Sequence, residues 1–74
     1  MEKELFSERI PIERKNFTFD LRENARGRFL KIIEDVGGRR DAVIIPVSGL
    51  QQVREIIDHA LKADQEAGSC TGEQ

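Results

Sequence analysis

The segment "RENARGRFLK", residues 22 to 31, crowds the guanidiniums of Arg22, Arg26 and Arg28, the amide of Asn24, the ring of Phe29 and the ammonium of Lys31 into a short stretch. Arginine and lysine neutralise phosphates, and an aromatic ring offers a base a stacking face worth about 1–3 kcal/mol. Asn24 can contact a base edge or fold back to shape a turn. These side-chain types suit an unpaired nucleic-acid strand. Other chemistry is poorly served. Glu34 and Asp35 are adjacent, so on a strand they point to opposite faces and make a poor carboxylate pair. His59 has no second metal ligand near it, and Cys70 stands alone. There is no nucleophile–base pairing and no phosphate-cradling loop. No enzyme activity, cofactor, metal or small-molecule substrate is expected.

Elements that alternate must position these groups. Residues 5–13, "LFSERIPIE", place Phe6, Ile10 and Ile12 on one face, interrupted by Glu8, with Ser7, Arg9 and Pro11 on the other. Pro11 cannot donate to a ladder, which predicts an edge strand or a bulge. "RKN" (14–16) reads as a polar turn. Residues 17–24 alternate most cleanly. Phe17, Phe19 and Leu21 point to the core, and Thr18, Asp20, Arg22 and Asn24 point away. "NARG" is a second turn, residues 28–36 a third strand, "GGRRD" a third turn, and residues 42–47 a short fourth strand that Pro46 helps to end. Ser48 with Gln51 three residues on reads as a capping box. The helix that follows, about 49–63, carries Leu50, Val53, Ile57, Ala60 and Leu61 on one face. Residues 64–74 lack periodicity and are expected to be disordered.

The fold class is therefore α+β, a four-stranded antiparallel meander followed by one helix. Such a helix can cover one face of the sheet and leave the other to water. Leu30 and Ile32 belong to the core face, which sets Phe29, Lys31 and Ile33 on the open face with Arg22 and Asn24. Arg26 sits in the adjoining turn, while Arg39 and Arg40 read as solvated turn residues. Spacing alone favours a packed role for Phe29 and Ile33 in a second apolar layer against a partner, because strand aromatics are more often buried than exposed.

Size and charge add constraints. The chain has 74 residues, 38% hydrophobic and 35% charged. Units of this size are marginal alone, and one cysteine provides no internal staple, so a homodimer is expected. No stretch reaches the ~20 apolar residues of a membrane span. "MEKELFSERI" lacks the apolar core of a signal peptide. With the single cysteine this points to an intracellular setting, cytoplasmic or nucleoid-associated. The net charge of −2 conceals a basic block: residues 9–40 hold nine basic and five acidic side chains. That segregation hints at a basic face.

"FDLRENARGRFLKI" (19–32) closely resembles the PUR family of purine-rich element binders, whose repeats run an aromatic strand, "DLKEN" or similar, a basic-Gly-basic turn and "FLKI". "GGRRDAVIIPVSGLQQVREII" resembles the second half of such a repeat, so the resemblance covers about residues 5–63. It implies a β-β-β-β-α repeat, two of which intertwine with each helix packed on the partner repeat. With room for one repeat here, it implies a homodimer. It further implies binding of purine-rich single-stranded DNA or RNA and a regulatory role in transcription or after it. The implied contacts fall on Arg22, Asn24, Arg26 and Phe29, with Lys31 on the same face. Arg14, Lys15 and Asn16 are the implied contacts of the loop before strand two. Arg22 stands where lysine is common, and its planar fork favours bidentate contacts. Any unwinding would be passive capture of frayed strands, without ATP. The alternative is a protein-interaction or dimerisation module whose basic face docks on an acidic partner.

Overall fold

The computed structural model describes residues 2–68. The four strands β1 (Lys3–Ile12), β2 (Lys15–Asn24), β3 (Gly27–Val36) and β4 (Arg39–Pro46) form one antiparallel meander in sequence order. A 3₁₀ turn, η1 (Val47–Gly49), leads into the helix α1 (Leu50–Glu66).

The turns are tighter than the sequence suggested. Each hairpin turns on two residues: Glu13 and Arg14, Ala25 and Arg26, Gly37 and Gly38. Lys15 and Asn16 are therefore strand residues, and Arg39, Arg40 and Asp41 already belong to β4. Two-residue loops match strand twist when their backbone takes positive φ. Gly37 (φ 56°) and Gly38 (φ 90°) do this without side-chain strain, and Glu13 does it at φ 57° despite its β-carbon. β1 is an edge strand, as Pro11 predicts, but the register shift lies between Glu4 and Phe6, at Leu5.

Registers confirm the alternation. Phe6 pairs Leu21, which pairs Leu30, which pairs Ile45; Phe19 pairs Ile32, which pairs Val43. One face thus carries a continuous apolar row with Ile10, Ile12, Phe17 and Val36. The opposite face carries Ser7, Arg9, Thr18, Asp20, Arg22, Phe29, Lys31 and Ile33. No apolar side chain among the described residues is fully buried.

The helix does not cover the apolar row. It joins the sheet through η1, which packs on β3, and its own apolar residues stay open, with Ile56 64% and Ile57 55% exposed. The radius of gyration is 15.0 Å, against about 11 Å for a compact unit of this length. The helix start also differs from the expected capping box. Pro46 is extended and opens η1, and the Leu50 N–H donates to the Val47 carbonyl. Ser48 is thereby enclosed in the turn, Gly49 takes the N-cap position without a side-chain bond, and Gln51 donates to Glu55 instead. α1 runs to Glu66, so residues 64–66, expected in the tail, are helical; residues 69–74 lie outside those described.

Two substitutions test the hairpins by urea denaturation. A β-carbon at Gly38 meets nothing within 4 Å, so Gly38→Val costs only backbone strain, about 1–3 kcal/mol. Glu13→Asn raises the stability by up to ~1 kcal/mol, and the urea midpoint with it, because asparagine tolerates positive φ.

Candidate nucleic-acid interface

The β2–β3 hairpin builds the centre of the site. Asn24 Oδ1 accepts from the Arg26 backbone N–H at 2.8 Å, the local bond that asparagine uses to close turns. Asn24 thus performs the turn-shaping role, and its NH₂ group remains as a donor. Gly27, at φ 140°, lets the chain re-enter the sheet immediately. Phe29 then falls opposite Arg22 on one side and Pro46 on the other. A groove forms where Asn24, Arg26, Phe29, Ile44 and Pro46 meet, with Glu2 on its rim. Ile44 is 58% exposed. The ring thus has apolar neighbours on one flank and polar ones on the other, as a base-stacking platform requires.

Arg22 is placed differently from its expected phosphate role. Its Nε donates to Glu2 at 2.8 Å, and a terminal nitrogen lies 3.5 Å from Glu4 and 3.9 Å from Asp20. Its side chain is only 25% exposed. Asp20, the most buried polar residue at 9% exposure, accepts from the Ser7 hydroxyl at 2.6 Å. An aspartate in mid-sheet is tolerable because these partners satisfy it.

The other expected residues divide. Lys31 shares the open face, opposite Asp20 and Ile44. Asn16 is on that face but pairs with Asp35, six residues along β3 from Phe29 and thus roughly 20 Å away. Arg14 is in the β1–β2 turn at the same far end. Lys15 lies on the apolar-row face, bound to Glu34 at 3.0 Å, and is not brought to the groove. Arg28 is held by Glu23 at 3.4 Å, and Arg40 by Asp35 at 3.9 Å. Among the described residues, Arg9, Arg14, Arg26 and Lys31 make no ion pair.

Ile44 and Pro46, which line the groove, were not anticipated. The two apolar walls need the β3–β4 register, which lies outside local pattern. No group of three or more potential metal ligands occurs among the described residues. None of their helices is long and apolar enough to cross a membrane.

A four-stranded meander thus carries a ring-centred groove beside Arg26, which makes no ion pair among the described residues. Residues 2–73 match the family described as "PurA ssDNA and RNA-binding protein", and the chain belongs to that family. It is similar to the transcription factor Pur-alpha 1 of Arabidopsis thaliana, 48% identical over 50 residues, covering 68% of this chain and 17% of that protein. It is also similar to the human transcriptional regulator protein Pur-beta, 32% identical over 73 residues, covering 97% of this chain and 23% of that protein. With the human transcriptional activator protein Pur-alpha it shares 38% identity over 56 residues, covering 74% of this chain and 17% of that protein. The chain thus spans a quarter or less of these relatives' length.

The Ser7–Asp20 bond is measurable by a double-mutant cycle. Ser7→Ala and Asp20→Ala each destabilise by about 1–2 kcal/mol, and the double variant costs less than their sum. Strict additivity in thermal denaturation would mean that the bond contributes nothing.

Proposed function

We propose that this chain binds single-stranded DNA or RNA with a preference for purine-rich sequence, and acts as a regulator of transcription or of transcripts. The carrying observation is the convergence of Phe29, Asn24 and Arg26 on one groove of the sheet face opposite the apolar row. A base stacks on Phe29 against Ile44 and Pro46. Arg26 and Lys31 meet phosphates, and the Asn24 NH₂ group reaches a base edge. Purines present the larger stacking face. Family membership and the names of the relatives agree with this reading. Binding needs no cofactor and no chemical step, so the protein is a binder rather than an enzyme, acting inside the cell.

The working unit is a homodimer. The apolar row on the sheet and the open Ile56, Ile57 and Leu61 of α1 are complementary halves that one chain does not bring together. A second copy supplies its helix to the row and receives the first copy's helix in return. This arrangement keeps Phe29 on the outer surface, because the partner occupies the other face.

The two faces are separable by substitution. In gel-shift assays with purine-rich and pyrimidine-rich single strands and the matching duplex, the wild type prefers the purine-rich strand. Its log–log salt slope is about −0.7 per phosphate neutralised. Phe29→Ala weakens binding by about 1–3 kcal/mol for each base it stacks and sediments as a dimer. Phe19→Ala, on the apolar row, loses the dimer or the fold, since truncating a buried phenylalanine to alanine costs about 3–5 kcal/mol. A wild type that ignores oligonucleotides, with Phe29→Ala monomeric, would instead assign Phe29 to the subunit contact and the protein to an interaction role.

A further inference from the structure

The guanidinium of Arg22 is the best-placed cation beside Phe29, yet carboxylates already occupy it. Glu2 lies at 2.8 Å, Glu4 at 3.5 Å and Asp20 at 3.9 Å. The one guanidinium thus serves three carboxylates. Asp20 has a second partner in Ser7, which anchors it as part of the sheet. Glu2 and Glu4 have side chains about half exposed, 51% and 53%, and Arg22 is their one ion-pair partner among the described residues.

The backbone is arranged to make this contact. From Phe6 onward, β1 pairs in a register that would set Leu5 opposite Arg22; the irregularity at Leu5 brings Glu4 there instead. Bulges commonly re-aim a side chain in this way. Glu2 then reaches both Arg22 and the rim of the Phe29 groove.

We infer that Glu2 and Glu4 are specificity-determining residues that keep Arg22 from phosphate. They bias recognition at this end of the sheet towards bases and away from bare backbone charge. The inference rests on the single-strand binding proposed above. A phosphate approaching Arg22 must displace an acid that is already hydrogen-bonded, whereas a base entering the groove gains the Phe29 face without disturbing the ion pairs. Exposed ion pairs are weak, so the acids weaken phosphate contact without abolishing it.

The test compares the full chain with the Glu2→Gln/Glu4→Gln variant, using a base-bearing single strand and an abasic sugar–phosphate strand of the same length. Glu55→Gln/Glu66→Gln, both on α1, is the control for an equal change in net charge. The acid-free variant should bind the abasic strand several-fold more tightly than wild type at low salt. Its salt slope should steepen by about 0.7, the value of one added phosphate contact. The control should match wild type. No gain on the abasic strand, or an equal gain in the control, overturns the inference. Should the double variant fail to fold by circular dichroism, Glu2→Gln alone carries the test, with a smaller gain of the same sign expected and no gain overturning it. Wild-type binding to the base-bearing strand is read separately. Its absence would sink the proposed function and the inference with it, whereas wild-type binding there without a gain of the variant on the abasic strand would sink the role of the acids alone.

Discussion

One face of this sheet is made of phenylalanine, leucine, isoleucine and valine side chains that must leave water, and no described part of the chain lies over it. Full burial of each such side chain contributes ~1.5–3 kcal/mol. In the lone chain none is fully buried, so most of that stabilisation is unrealised. The helix, extended from the sheet by the Pro46–η1 turn, has the same deficit. Strand alternation sets which face lies opposite this apolar row. Whatever seals the Phe19 side leaves the Phe29 side to solvent, because adjacent residues of a strand point in opposite directions.

The proposed binding face is built on the sheet ladder. Phe29 sits in mid-ladder between Arg22 and Pro46 rather than on a loop. Its neighbouring turn is closed by Asn24 and Arg26, and the ionic cluster of Ser7, Asp20 and Arg22 ties β1 to β2 behind it. In the proposed role, a ring held by a sheet is in place before a strand arrives, which spares the entropy of ordering it. The cost is electrostatic. Carboxylates that hold the sheet together also dilute the positive charge that its sequence advertises, and the basic block of residues 9–40 is spread over both faces and two turns rather than gathered in one patch.

Much of the fold was readable from local pattern. Strict alternation in "FTFDLREN" assigned its faces correctly, and Pro11 marked an edge strand. The meander followed from short polar connections. The errors share a cause. "RKN" and "GGRRD" look like long polar turns because turn composition does not distinguish the two loop residues from the polar ends of the strands they join. Ser48 and Gln51 have the spacing of a capping box, but Pro46 winds the chain one turn earlier. The helix ends late because polar residues after Ala63 continue it without burying anything.

Sequence by itself determined which side chains share a face, since that depends only on the two-residue period of a strand. It also determined the family, through the run "FDLRENARGRFLKI". Tertiary structure alone decided what each charge is doing. Lys15 and Arg22 are both basic residues of β2, yet one is bound to Glu34 on the apolar-row side and the other is enclosed by Glu2, Glu4 and Asp20. Partners across a sheet are fixed by register, and register here includes a slip at Leu5 that no local pattern announces. The same holds for Ile44 and Pro46, which become walls of a groove only when β4 is laid beside β3.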